Sequence, residues 1–539
     1  MMDSGEYEYV ICGGGQVGCV LASRLSQQGC SVALLEGGSE NYSPQIMSPV
    51  AAPQLHNTPV EYNFMCTKQP GLDNRAIPTF AGRILSGSSA VNYGLWTRGH
   101  SVDYDCWAEL VGDDRWSYKR LLKYFKRSES HHDPKGDPEQ HGFNGPIQTT
   151  AGARRYPLGD TVFTALIKSG IPWNSDANGG NPLGVGAFTE NWKDAQRQPA
   201  GKAYDLSKAK VFTESLVSRI IIDPETKTAT RVELIDGRVF KATKEIIISC
   251  GAIKTPQLLM LSGIGPAAHL TSLGIPVIAD LPVGEGLHDH LSTTMFWKLK
   301  SPELGLALGS PLFNKPEFAH GNPTQYIVTL SMPKEEIQKV IQKDNTDPND
   351  RHISEPRAHT ELMVPYAPVA GSGSAFRVPF DGNHIATPVI LLLPTSRGTV
   401  TLADRNPDSD PIIDPHYLET ESDKAAIRTG LRQAMSVMET TEGRTISDGE
   451  TPPPGFPALD SNCSDEDLNT RMRIVGSSFI QLGGTAAMGT VVDTECRVKG
   501  VKGLRVCDGS VLPLPIAGHY QAPLYGFAEA VADMLLGVE

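Results

Sequence analysis

The stretch that most constrains this chain is EYVICGGGQVGCVLASRLSQQGCSVALLE, residues 8–36. A short β-prone apolar run, YVIC, leads into Gly13, Gly15 and Gly18 in G-x-G-x-x-G spacing. Val20, Leu21 and Leu25 then recur at helical spacing, Gly29 ends the helix, and SVALLE reads as a second strand. This is the βαβ order of a dinucleotide-binding unit. Gly13 permits the tight turn, Gly15 lets the backbone approach a pyrophosphate, and Gly18 lets helix and strand pack closely. Gln16 and Val17 open the helix, whose free N–H groups and positive dipole end suit phosphate. Glu36, closing the second strand, is placed to accept from ribose hydroxyls, and its charge disfavours a 2′-phosphate. The spacing alone does not choose between NAD and FAD.

At 539 residues the chain exceeds one hydrophobic core, so at least two domains are expected. A net charge of −13 argues against a nucleic-acid partner or an anionic membrane surface. The apolar runs IIIS (246–249) and VILLLP (389–394) are too short to span a bilayer and read as buried strands. The N-terminus MMDSGEYEYV has no apolar secretory core. The nine cysteines are scattered without a CxxC pair, as expected of reduced thiols in a cytoplasmic protein.

A second Gly/Ser-rich turn lies in GRILSGSSAVNYGLWTRG, residues 82–99. Small side chains there allow close approach to a flat ligand, and Arg83, Asn92 and Arg98 suggest polar anchoring of something large. This segment resembles the first characteristic motif of the glucose–methanol–choline oxidoreductases, a family of FAD enzymes. GAIKTPQLLMLSGIGP (251–266) is similar to the second. LPVGEGLHDHL (281–291), SRGTVTLADRNPDSDPIIDPHYL (396–418) and GLRVCDGSVLPLPIAGHYQAPLYGFAEAVADML (503–535) follow in the family's order.

The resemblance implies an α/β and α+β architecture. A Rossmann-like FAD domain would take residues 1–160, 195–290 and 480–539. A substrate domain of antiparallel sheet backed by helices would take 161–194 and 291–479. Gly13, Gly15, Gln16, Val17, Gly18 and Glu36 would hold the ADP half. Gly87, Ser88, Asn92 and Leu95 would lie along the pyrophosphate and flavin, Val217 at the adenine, and Asp508 and Gly509 near the ribityl chain. Tyr520 and Gln521 would cover the pyrimidine edge. Ala90-Val91 stands before Asn92, where some members carry a flavin-linked His, so a non-covalent FAD is expected.

In the family a base sits three residues before a Gly-Thr pair. Counting back from Gly484-Thr485 gives Gln481, an amide that cannot take a proton near neutral pH. The second catalytic position, His or Asn in the family, is His519 here, in AGHYQAP. Losing a general base costs about 10²–10⁴ in rate, roughly 3–5 kcal/mol. Three readings follow. His519 is the base and Gln481 holds the substrate oxygen of an alcohol or lactol; or His519 serves a redox-neutral isomerisation, elimination or cyclisation; or the chain is an inactive binding member. Similarity to fungal intracellular members of specialised-metabolite pathways suggests a mid-sized, partly apolar small-molecule substrate, and the oligomeric state is left open. No metal is expected: His288-Asp289-His290 lacks a further ligand and reads as a loop beside the cofactor, and His131-His132-Asp133 reads as a solvated loop.

Overall fold

The computed structural model describes residues 2–152, 154–346 and 356–538. Two seven-stranded sheets organise the chain. In the first, Lys210–Phe212, Val32–Leu35, Met2–Cys12 and Arg238–Ile248 lie side by side in parallel, and Leu504–Val506 pairs with the end of the last of these. Val10, Ile11, Cys12, Ile246, Ile247 and Ile248 are fully buried, as expected of parallel strands covered on both faces. The first strand, Met2–Cys12, is longer than its apolar run YVIC because the long partner Arg238–Ile248 supplies edge hydrogen bonds to its polar beginning. The helix Gln16–Gln27 returns the chain to Val32–Leu35, and Gly29 turns it at φ +87°. The last helix, Gln521–Leu536, packs on this first helix and on Tyr118–Ser128.

The second sheet is antiparallel, in the order Ser447–Glu450, Leu291–Leu299, His384–Leu391, Thr360–Met363, Tyr326–Leu330 and Gly184–Ala187. Its two faces follow the period of two. Leu362 and Val389 join the core beneath the helix Glu421–Glu439, while Met363 and Ile390 point into a separate apolar cluster with Leu95 and Ala517, which belong to the first unit. Glu361 pairs with Ile390 in this register. A slip of one residue would exchange the faces of the whole strand.

After contributing Gly184–Ala187 to the second sheet and returning to the first at Lys210–Phe212, the chain passes to the second sheet again near residue 288 and returns near 483, and these last two passages are zipped together. His288 and Gly483 exchange both backbone hydrogen bonds, Phe479 N donates to His290 O, and Leu291–Ser292 pairs with Ser477–Ser478. A buried ion pair adds a second tie. Arg357, just before the strand Thr360–Met363, reaches Asp103 of the helix Ser101–Val111 at 2.5 Å, with both side chains at most 1% exposed. The other Asp103 oxygen accepts from Ala517 N at 2.7 Å. Among the described residues no helix is long and apolar enough to cross a membrane.

Removing one partner of a buried ion pair strands the other charge, at a cost of about 3–5 kcal/mol. Asp103→Ala is therefore expected to lower the unfolding free energy from denaturant titration by about that amount, seen as a lower midpoint. A midpoint equal to that of the parent would show that Arg357 finds another partner.

Candidate active site

The glycine turn shows which of its glycines serve packing and which leave room. A Cβ on Gly13, at φ +101°, would lie 2.4 Å from Ser249 O, and one on Gly18 would lie 2.1 Å from Gly13 O. At Gly15 the nearest atom to a Cβ is Ser249 O at 3.7 Å, so space stays open above the turn. No side chain caps the helix that follows, and Gly15, Gln16 and Val17 line a cavity at its N-terminus. Glu36 lines the same cavity. Its carboxylate accepts from Gly14 N at 2.9 Å and Gly38 N at 2.7 Å, and burial pushes its pKa up to about 7. An uncapped helix start, an open glycine and a carboxylate at the strand end together fit a pyrophosphate with its adenosine ribose.

The second turn meets the first directly. A Cβ on Gly87 would lie 2.8 Å from Gly15 Cα, so the two glycine turns pack backbone to backbone. Gly87, Ser88, Val217, Asp508 and Gly509 line the cavity with Gly13 and Glu36. Asp508 is buried and accepts from Ser510 N, Thr255 Oγ1 and Gly251 N, which ties the late segment to the start of the helix Gly251–Leu261. Asn92, Leu95 and Gln521 form a buried polar knot beside the cavity. Gln521 Oε1 accepts from Asn92 Nδ2 and Asn191 Nδ2, Gln521 Nε2 donates to Leu95 O, and Gln16 Nε2 donates to Gln521 O. This knot locks the second turn, the first helix and the last helix together.

At the far end of the last helix's N-terminus lie Gln481 and His519. Asp289 Oδ1 accepts from Gln481 N at 2.7 Å, while Oδ2 accepts from Tyr417 OH and Ser478 Oγ. Ile480, just before, has φ +62°, a strained conformation for a β-branched residue that turns Gln481 toward Asp289. Gln481 Oε1 accepts from Tyr520 N at 2.8 Å, and Nε2 has no hydrogen-bond partner among the described residues. The amide at 481 thus fixes the loop that carries His519 and keeps one donor free. Two further bonds hold that loop: His519 N donates to Thr97 Oγ1 at 2.6 Å, and Ala517 N to Asp103.

The His519 ring is 5% exposed as a residue, edge-on to Phe479 at 5.4 Å, and its Nε2 lies 2.9 Å from Glu361 Oε1. Tyr520 OH meets His288 Nδ1 at 3.1 Å, and its ring packs on His290. Burial pushes His288 down to about 3, and burial with the neighbouring His519 and His288 holds His290 well below its ordinary value. Both are poor proton acceptors.

Sequence reasoning missed Glu361, Asp289's hold on Gln481, and Thr97. The signal for Glu361 was a lone acid in the β-prone run HTELMV. Two expectations need correction. Arg98 anchors no ligand: its guanidinium is buried against Glu129 at 2.6 Å and donates to Gln140 O, on the far side of the second turn. His131 is not solvated either, because its ring stacks on His141 at 3.7 Å, whereas His132 and Asp133 are exposed. Glu129, His131 and His141 bring ligand-type atoms within 4.8 Å of one another. Glu129 there already accepts from Arg98, Trp96 Nε1 and His141, and His141 Nε2 meets Asp176. Those atoms are committed to a protein network.

The GMC oxidoreductase N-terminal domain matches residues 7–292, and the C-terminal domain matches residues 394–528. The chain is 60% identical over 530 residues to the GMC-type oxidoreductase acuG of Aspergillus aculeatus, covering 98% of this chain and 99% of that one. It is 30% identical to an alcohol dehydrogenase [acceptor] of Pseudomonas putida, covering 98% and 96%. Among solved structures, a formate oxidase variant of Aspergillus oryzae superposes with a TM-score of 0.88 at 26% identity over 100% and 99% of the chains. A fungal aryl-alcohol oxidase does so with a TM-score of 0.84 at 25% identity over 98% and 99%.

Charge-assisted hydrogen bonds contribute about 1.5–3 kcal/mol each. Glu36→Ala is expected to weaken FAD binding by roughly that amount, tenfold or more, measured by recovery of free-flavin fluorescence on dilution. Unchanged retention would remove Glu36 from the ribose site.

Proposed function

The chain belongs to the GMC oxidoreductases, FAD-dependent enzymes acting on CH–OH groups, and from that premise we propose that it oxidises an alcohol or lactol of a mid-sized, partly apolar metabolite with His519 as the proton acceptor. The observation that carries this reading is the tie between Gln481 and the separate loop that carries His519: Gln481 Oε1 accepts from Tyr520 N and His519 N donates to Thr97 Oγ1, which leaves a side-chain nitrogen of each for a substrate oxygen. The residues from Gly13 to Gly509 that line the cavity would hold FAD, with Gln521 reaching their helix through the Gln16 Nε2 bond to its carbonyl oxygen. When bound, the flavin supplies the hydride acceptor.

The protein's part is to hold and deprotonate the substrate. His519 takes the hydroxyl proton, and Gln481 Nε2 donates to the oxygen on which negative charge develops. An amide is a competent donor there, since the oxygen needs stabilisation and not a second base. The engaged Oε1 prevents the amide from rotating to present its acceptor side. Phe479 stands edge-on to His519 and packs against the apolar cluster of Leu95, Met363, Ile390 and Leu392, surroundings that suit a ring or alkyl body and not a free sugar. Benzylic or allylic alcohols fit these surroundings, in keeping with the aryl-alcohol oxidase among the structural relatives. FAD is taken as non-covalent, because Ala90 and Val91 offer no nucleophile before Asn92.

His519→Ala is expected to lower kcat/KM by about 10²–10⁴ while the purified protein stays yellow. Retention of activity within a fewfold would end the assignment. The redox-neutral alternative is separated by anaerobic mixing: an alcohol substrate should bleach the oxidised flavin band, whereas an isomerase or lyase would turn over with the band unchanged. Acid precipitation should leave the flavin in the supernatant; a yellow pellet would mean a covalent link.

A further inference from the structure

Tyr520 follows His519 in the chain, is buried, and is engaged at both its backbone and its hydroxyl. Its N–H donates to Gln481 Oε1 at 2.8 Å. Its hydroxyl lies 3.1 Å from Nδ1 of the buried His288, and its ring is edge-on to the rings of His288 and His290 at 6.0 and 5.2 Å. The hydrogens along these contacts can be placed. His288 Nε2 lies 3.3 Å from Leu512 O, and a carbonyl only accepts, so Nε2 carries the hydrogen of the neutral ring. The lone pair is then on Nδ1, and Tyr520 OH donates to it. His288 is itself held by the neck. Its backbone exchanges both hydrogen bonds with Gly483, and a Cβ on Gly483 or Gly484 would lie 2.5 or 2.8 Å from a carbon of its ring. The contacts close on themselves: from the Gln481 amide to Tyr520, through the phenol to His288, and across the neck to the segment that carries Gln481.

We propose that Tyr520 is a positioning residue, anchored through its hydroxyl to His288, that selects which end of the Gln481 amide faces the substrate in the reaction proposed above, on which this inference rests. The two ends of a carboxamide are nearly equal in size and differ in hydrogen bonding: the oxygen only accepts and the nitrogen only donates. With Tyr520 N–H held against Oε1, turning the amide over would set donor against donor and leave that N–H without an acceptor. The amide therefore presents Nε2 to the substrate oxygen, the end that can stabilise negative charge there. This selection works only while Tyr520 N stays where it is. The phenol–imidazole bond keeps it there, because it ties the start of the last helix to the neck from which Gln481 projects. The anchor is also neutral near pH 7: burial pushes the His288 imidazole down to about 3 and the Tyr520 phenol well above its ordinary value. It therefore holds the amide without adding a charge beside His519.

The test is a double-mutant cycle of Tyr520→Phe and Gln481→Ala in the FAD-loaded protein, read as the rate of flavin bleaching on anaerobic mixing with a benzylic alcohol that bleaches the parent flavin. Tyr520→Phe keeps the ring and the backbone N–H and removes only the anchor. It is expected to slow bleaching about 3–10-fold, as for one neutral hydrogen bond. The apparent substrate Kd should change less than twofold, because the amide acts on charge that develops only in the transition state. In the Gln481→Ala background the same substitution should alter the rate less than twofold. A merely structural loosening would multiply in both backgrounds, and that additivity, or an unimpaired Tyr520→Phe, would overturn the proposal. His288→Asn keeps an oxygen able to accept from the phenol and should lose less than His288→Ala. Equal losses would likewise overturn the proposal, and this second comparison decides it where Tyr520→Phe does not retain FAD. The failure of the parent reading is distinguishable. A slow Gln481→Ala alongside an unimpaired Tyr520→Phe removes the role of Tyr520 alone. Full rate in Gln481→Ala removes the amide from the reaction and this inference with it, and full rate in His519→Ala removes the base whatever the cycle shows.

Discussion

The antiparallel pairing of two crossover segments, around His288 and Gly483, is the constraint on which the rest of the active end depends. Two of the segments that cross between the sheets lie side by side at this neck. Here they share hydrogen bonds, and Asp289 on one grips Gln481 N on the other. That grip is expensive to assemble, since burial pushes Asp289 up to about 6, and it is sustained by three donors. The strained Ile480 persists because the segments on either side of it are pinned. Once Gln481 is fixed, its carbonyl oxygen fixes Tyr520, and with it the start of the last helix.

The same economy of parts appears in how charge is arranged. Most ionisable groups near the reacting end are neutralised or silenced: Arg357 by Asp103, Arg98 by Glu129, and His288 and His290 by burial. His519 faces the carboxylate of Glu361 at 2.9 Å. A buried charge without a partner is costly, so an imidazolium formed during turnover needs an anion close by. Under the proposed reaction Glu361, 2.9 Å from His519 Nε2 on the opposite sheet, would be that anion.

The first unit was legible because its requirements are steric and local. Gly13 and Gly18 cannot carry a side chain, since one would collide with backbone at 2.4 Å and 2.1 Å. The βαβ reading of residues 8–36 and the buried strands read in 246–249 and 389–394, which end at Ile248 and Leu391, follow from short stretches whose neighbours are close in sequence, whereas FAD followed from the order of motifs along the chain. Where a residue's partner is remote, the sequence misled: Arg98 read as a ligand anchor because Glu129 was not in view, and His131 read as solvated because His141 was not. Gln481 was recognised as a departure from pattern, but its bond to Tyr520 N was not readable from its neighbours.

The sequence by itself determined a dinucleotide turn, a carboxylate at the second strand's end, a family order of motifs and the presence of one imidazole where two are usual. Only the tertiary structure decided what that imidazole faces. His519 and Glu361 are 158 positions apart, on different sheets, and each stands in a run that looks ordinary alone. Their meeting depends on strand register, on the zipped neck and on the Asp103 bond that sets the loop before His519, all of them interactions between distant segments that no local pattern encodes.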